Sequence, residues 1–178
     1  KARQVFDSRG NPTVEAEVYT NNNSATAICP SGASTGTFEA YEKRDKHNKR
    51  YLGKSVFSAI NLVNTKISKK LTGQNIHNQE RIDTLLINLD GTRQKTNLGA
   101  NSMLAVSMAV KKLSAKVLKL PLYKTFSVKK NFQLPYPLMN IINGGAHANN
   151  GLRIQEFMIR PDRAKSFSEA MRVCYLVI

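Results

Sequence analysis

The sequence PLMNIINGGAHANNGLRIQEFMIRP, residues 137–161, joins two short apolar segments through a loop rich in Gly and Asn. Residues 138–142 and 154–159 each have the length and the flanking Pro or Gly that predict a buried strand. The paired glycines of the loop allow backbone conformations that a residue with a Cβ avoids, so His147 can be presented at a strand end. The stretch therefore predicts two strands with a histidine at their junction.

Gln155 and Glu156 interrupt the second apolar segment. A carboxylate in a buried strand is costly unless a metal, a cation or a substrate proton partners it. Taken singly, His147 is more often a solvated loop histidine, and Glu156 an edge-strand carboxylate that faces water. The two together, nine residues apart across a Gly-Gly loop, indicate a binding or catalytic site.

The composition is typical of a soluble globular protein, with 178 residues of which 41% are hydrophobic and 22% charged. No apolar run has the length of a membrane span, and the N-terminal region lacks the apolar core of a signal peptide. We therefore expect a cytoplasmic protein. Cys29 and Cys174 fit neither a zinc site nor a redox motif and are expected to pack as small apolar side chains.

The chain is strongly basic, with 27 Lys and Arg against 12 Asp and Glu and a net charge of +15. Such a charge attracts polyanions without sequence specificity. The basic residues are dispersed, however, and few aromatic residues lie among them to stack on bases. We expect a solvated basic surface and no specific nucleic-acid site.

The N-terminal part predicts an antiparallel meander with one solvated face. The turn signature DSRGNP, residues 7–12, precedes TVEAEVY, residues 13–19, in which polar and apolar side chains alternate. The three asparagines at 21–23 favour a turn, and residues 24–28 then form the returning strand.

Three amphipathic helices are predicted next, because apolar residues recur at steps of three and four. They cover residues 54–71, 78–89 and 100–118. A polar, Pro-bearing linker, residues 126–137, separates this α+β domain from two strands and a helix at 166–178. That remainder is too small to close a core, so we expect the chain to stop inside a second domain, and Lys1 in place of an initiating Met suggests that residues precede it.

The loop PSGASTG, residues 30–36, consists of small residues. Such a loop can close over an anion, or offer a hydroxyl and a carbonyl oxygen to a hard cation. A plain flexible connector is the commoner interpretation of a Ser/Gly loop taken alone.

Motifs spread along nearly the whole chain resemble the enolase family. Singly some are weak, but they occur together and in the family's order. They are DSRGNPTVEAE at 7–17, SGASTG at 31–36, NLDGT at 88–92, LGAN at 98–101, LAVS at 104–107, MNIINGG at 139–145 and IQEFM at 154–158.

The resemblance implies an α+β N-terminal cap domain, residues 1–127, with a three-stranded antiparallel meander plus helices. The first part of an enolase-type β/α barrel would follow, residues 128–178, incomplete. It also implies a glycolytic lyase that reversibly dehydrates 2-phosphoglycerate to phosphoenolpyruvate with two Mg²⁺ per site. The metals are needed because negative charge builds up beside the substrate carboxylate and must be held electrostatically.

Site residues follow from the resemblance by position. Ser34 resembles the loop serine that closes over the substrate and ligates the second magnesium. His147 resembles the histidine that contacts the substrate, Glu156 the carboxylate on the acid side of the reaction, and Gln155 its substrate-facing neighbour.

Arg3 and Glu15 resemble residues that form ion pairs across the family's homodimer interface. The family's proton-donating Glu, its Lys base, its substrate-clamping Arg and the carboxylates of the first magnesium would all lie beyond residue 178. A full barrel takes about 250 residues, so we predict that these 178 residues alone are inactive. The alternative function is that of a noncatalytic, truncated enolase domain that binds polyanions or surface partners.

Overall fold

The computed structural model describes residues 1–32, 34–47, 49–126 and 131–178. It divides into two compact units, Lys1–Val128 and Lys129–Ile178, called the first and the second unit below. One residue of the predicted loop at 30–36 and part of the predicted linker at 126–137 lie outside the described residues. The linker residues 131–137 have no regular secondary structure.

The first unit opens with a three-stranded antiparallel sheet of β1 (Ala2–Phe6), β2 (Pro12–Tyr19) and β3 (Ser24–Cys29), paired in chain order. The predicted meander is therefore confirmed. Val14 and Ala16 on β2 are completely buried, because alternate side chains of a strand point to the same face.

The predicted helix at 54–71 forms with two differences. It begins at Phe57 as α1 (Phe57–Leu62), passes through a π-helical segment (Val63–Ile67) and ends as α2 (Ser68–Leu71). The later start has a tertiary cause, because the Asp45 carboxylate accepts from the backbone N–H groups of Phe57 and Ser58 at 2.8 and 3.1 Å and caps the helix there.

The other two helices lie close to their predicted bounds, as α3 (Gln79–Asp90) and α4 (Ala100–Val117). The side chain of Asn78 caps the start of α3, and Gly91 ends it with a left-handed φ of 70°. The helices pack on the sheet around one core. Its largest fully buried apolar side chains are Ile67, Leu86, Leu98, Leu113, Val14 and Val56.

The second unit contains β4 (Met139–Asn143) and β5 (Glu156–Ile159), which pair in antiparallel fashion, and α5 (Phe167–Val177). The prediction that both strands are buried is wrong. Ile142, Phe157 and Met158 are 45%, 51% and 44% exposed, because a sheet of two strands has two open faces and two free edges. Among the described residues, no helix has the length and apolar character needed to cross a membrane.

Candidate functional site

In the first unit, the loop that follows β3 lines an open groove of about 1090 Å³. Ser34 lies in this loop and is exposed, as a residue must be if it is to contact a ligand. The groove combines hydroxyl groups with side chains of both charges. Its polar lining includes Ser31, Ser34, Thr35, Glu39, Glu42, Arg44 and Lys54.

In the second unit, three predicted site residues come together around one imidazole ring. His147 Nδ1 lies 2.8 Å from Glu156 Oε1, and His147 Nε2 lies 3.0 Å from Gln155 Nε2. An amide nitrogen can only donate, so Nε2 accepts from Gln155 and Nδ1–H donates to the Glu156 carboxylate. These two bonds fix the ring between Glu156 and Gln155.

Backbone geometry at two glycines brings these side chains together. A Cβ on Gly144 would lie 2.4 Å from the carbonyl oxygen of Ile154, and Gly145 has a φ of +54°. Gly144 N–H donates to the carbonyl oxygen of Gln155 at 2.9 Å. A side chain at Gly144 would push the returning chain away, and one at Gly145 would strain the backbone at its positive φ, so the glycines allow the contact between His147 and Glu156.

Asn140 is a member of this cluster that the sequence did not reveal. Its Nδ2 donates to Glu156 Oε1 at 3.2 Å and also to Asn143 Oδ1. The paired strands carry these residues side by side, since Asn143 lies opposite Glu156 in the register of β4 and β5. The predicted pairing of the two strands was the one signal that could have revealed Asn140, because it places polar residues of β4 beside Glu156.

The cluster is accessible from solvent and has proton-transfer groups. The side chains of His147 and Glu156 are 23% and 29% exposed, and Gln155 is exposed. A carboxylate and an imidazole in direct contact can share or pass a proton, and the neighbouring Gln155 amide can donate a hydrogen bond to an anionic ligand. The arrangement therefore suits acid–base chemistry on a small polar substrate.

The described residues do not make a complete magnesium site. No group of three or more His, Cys, Asp or Glu side chains within them is placed to hold a metal ion. Mg²⁺ takes oxygen ligands in near-octahedral geometry, and Ser34 offers at most its hydroxyl and its carbonyl. Any magnesium bound at Ser34 must take its other ligands from elsewhere.

Two family models match the chain. One, described as "Enolase, N-terminal domain", covers residues 1–126, and the other, "Enolase, C-terminal TIM barrel domain", covers residues 131–177. The chain belongs to the enolase family. The expected fold, an enolase N-terminal domain followed by the start of the barrel domain, is thereby confirmed.

Curated enolases resemble the chain along its whole length. The enolase of Pelagibacter ubique (strain HTCC1062) is 80% identical over 178 residues, which is 100% of this chain and 43% of the relative. The enolase of Methanococcus maripaludis (strain S2) is 56% identical over 98% of the chain and 41% of its own length. That of Methanosarcina acetivorans is 54% identical over 97% and 40%. The chain thus spans less than half the length of these enolases.

Proposed function

We propose that this chain is the N-terminal portion of an enolase that interconverts 2-phosphoglycerate and phosphoenolpyruvate in glycolysis. The observation that carries the proposal is the 2.8 Å contact between His147 Nδ1 and Glu156 Oε1, within a unit that matches the enolase barrel domain. The runner-up function, a noncatalytic basic binding protein, has no comparable support, since its one argument is the net charge of +15.

Each side chain has a role that its contacts allow. The substrate loses a hydroxyl group, which must leave with a proton, and we assign Glu156 to the acid side of that step. His147 and Asn140 both donate to Glu156 Oε1 and hold the carboxylate in place. The exposed Gln155 amide has a second N–H to offer to the anionic substrate, and we assign His147 to substrate contact beside it.

We assign Ser34 as a magnesium ligand from the groove of the first unit. Mg²⁺, when bound, supplies positive charge that stabilises the negative charge beside the substrate carboxylate. Ser34 provides one or two oxygens of that site, and residues outside this chain provide the rest.

We also propose that the intact protein is cytoplasmic and forms a homodimer, as the family does. Its two domains would divide at residues 1–127 and 128–178. Arg3 and Glu15 are the residues proposed to face the partner subunit. Within this chain, Arg3 Nη2 lies 2.5 Å from Glu15 Oε2 and Arg3 Nη1 lies 3.3 Å from Glu17 Oε2, so Arg3 lies close to both carboxylates of β2.

The proposal is tested in a hybrid enzyme, in which these 178 residues replace the matching part of the Pelagibacter ubique enolase. We expect the hybrid to form phosphoenolpyruvate. Ser34→Ala and His147→Ala should each lower kcat/KM by roughly 10- to 100-fold through lost positioning. Because both residues are proposed to act in the same reaction, the double variant should lose less than the product of the two effects.

The matched controls are Ser8→Ala and His47→Ala, which alter exposed residues of the same types and should leave activity unchanged. Amide hydrogen exchange checks that each variant is folded. A folded hybrid without activity would refute the proposed function. A Ser34→Ala effect that does not depend on Mg²⁺ concentration would refute the metal role of Ser34.

A further inference from the structure

Three side chains fix the start of the loop that carries Ser34. The hydroxyl of Ser31 donates to Glu42 Oε1 at 2.5 Å and accepts from Arg44 Nη2 at 2.6 Å. The same guanidinium nitrogen donates to Glu42 Oε1 at 2.8 Å. The Ser31 hydroxyl is thus used as both donor and acceptor. Bonds to ionised partners of this kind are roughly twice as strong as neutral ones.

Arg44 also connects the cluster of Ser31, Glu42 and Arg44 to the rest of the first unit. Its Nη1 donates to the carbonyl oxygens of Pro12 at 3.0 Å and Lys54 at 2.5 Å. The Arg44 side chain is 15% exposed, so water competes little for these bonds. The planar guanidinium therefore bonds the loop through Nη2 and the first residue of β2, Pro12, through Nη1.

The segment that carries Glu42 and Arg44 is itself fixed from α4. Between these two residues, Lys43 donates its backbone N–H to Asn101 Oδ1 at 3.1 Å, and its carbonyl accepts from Asn101 Nδ2 at 3.0 Å. Asn101 is 3% exposed. A buried side-chain amide that bonds both backbone groups of one residue leaves the segment little freedom.

The far end of the loop is held by two hydrogen bonds between Gly36 and Glu39, in one of which Glu39 N–H donates to the Gly36 carbonyl oxygen at 3.1 Å. Gly36 N–H donates to Glu39 Oε2 at 3.0 Å, and Glu39 is an exposed residue. Ser34 lies between this end and the cluster at Ser31. The Ser31 end differs from the Gly36 end in that its side chain bonds two charged partners, Glu42 and Arg44.

We propose that Glu42 and Arg44 are positioning residues of the enzyme, which act through Ser31 to place Ser34. This inference rests on the proposed role of Ser34 in the enolase reaction. Neither charged residue needs to touch the substrate or the metal. Their effect is to hold the loop in the geometry from which the Ser34 hydroxyl reaches its ligand.

Ser31→Ala is the sharpest test, because it removes the link to the loop and leaves the Arg44 bonds to Pro12 and Lys54 in place. In the hybrid enzyme we expect kcat/KM to fall about tenfold, within the range for a displaced catalytic group. The Mg²⁺ concentration for half-maximal activity should rise. Ser31→Thr, which keeps a hydroxyl, should restore most of the activity.

The control is Ser8→Ala, which removes the hydroxyl of an exposed serine that does not line the groove. We expect its activity and its Mg²⁺ dependence to be unchanged. In a Ser34→Ala background, Ser31→Ala should cost less than about twofold more, because residues that act through one another are not additive. Full additivity would overturn the inference.

A second measurement separates this inference from the proposed function. Amide hydrogen exchange at Gly32, Ser34 and Thr35 should be faster in Ser31→Ala, with β2 and α4 unchanged. If Ser34→Ala is impaired while Ser31→Ala is fully active, the positioning inference fails and the proposed function stands. If Ser34→Ala is fully active, the proposed role of Ser34 is wrong. If amide exchange at Gly32, Ser34 and Thr35 is also unchanged in Ser31→Ala, then Ser31 does not order the loop.

Discussion

At the scale of single residues, Asp90 is the clearest case of a buried charge with a full set of partners. It is 1% exposed. Its Oδ2 accepts from Leu98 N–H at 2.7 Å, and its Oδ1 accepts from the N–H and the hydroxyl of Thr92. Burial alone would raise the pKa of Asp90, but the bonds from Thr92 and Leu98 outweigh it and lower the pKa below its ordinary value. The carboxylate thereby fixes the turn between α3 and α4.

Asp90→Asn should destabilise the first unit by about 1–3 kcal/mol, because an amide has one acceptor oxygen and leaves an N–H donor without a partner. The check is the free energy of opening of α3 and α4, measured by native-state hydrogen exchange in the hybrid enzyme. Asp162→Asn, at an exposed position, is the control and should change that free energy by less than about 0.5 kcal/mol.

The stabilisation by Asp90 depends on pH in a defined direction. Its folded pKa is lowered, so the contribution is complete above the unfolded pKa of about 3.9 and is lost as pH falls through the folded pKa. The stability difference between the original protein and Asp90→Asn should therefore be constant near neutrality and shrink below about pH 4. A difference that grows on acidification would contradict this assignment.

At the scale of elements, helices cover both free edges of the N-terminal sheet. On the β1 side, Asn64 in the π-helical segment accepts from Ala2 N–H at 2.7 Å and donates to Ala2 O at 3.1 Å. On the β3 side, Lys112 and Lys116 of α4 donate to the carbonyl oxygens of Thr26 and Ser24 at 3.2 and 3.0 Å. Some of the basic residues thus block edges at which another chain can pair.

Replacing both Lys112 and Lys116 by Met should increase self-association of the hybrid enzyme, because β3 then offers unpaired carbonyls beside new apolar surface. The Lys69→Met, Lys70→Met variant changes the charge equally at exposed positions of α2. Sedimentation velocity over a range of protein concentrations compares the two. Equal association in both variants would mean that net charge, and not the covered edge, keeps the protein dispersed.

At the scale of the whole molecule, the two units differ in how well they bury their apolar residues. The first unit has a core drawn from sheet and helices. In the second unit, Tyr175, Leu176 and Ile178 on or after α5 are 80%, 65% and 78% exposed. Two strands and one helix bury too little surface to be stable alone.

A polypeptide of only these 178 residues should therefore show no dehydration of 2-phosphoglycerate. The described residues have no group of three metal-ligating side chains, and the contact of His147 with Glu156 cannot supply the missing charge stabilisation. The measurement is phosphoenolpyruvate formation by purified material of verified mass, with the hybrid enzyme as positive control. Magnesium-dependent turnover by the short polypeptide would refute this prediction.

The sequence by itself determined the meander, two of the helices and the pairing of His147 with Glu156. Alternation along β2 and apolar spacing along α3 and α4 act over a few residues, so the meander and two of the helices could be predicted closely. The Gly-Gly loop between two strands favours a hairpin-like return, which is why His147 and Glu156 could be predicted to share a site, whereas the role of Gln155 came from the family resemblance.

The tertiary structure decided the features whose partners lie far apart in the chain. Asp45 caps α1, Asn64 bonds Ala2 from the π-helical segment, and Arg44 joins Ser31 to Pro12. No local pattern marks these residues, because a hydrogen bond requires two groups within about 3 Å, and only the packing of helices on the sheet brings them that close.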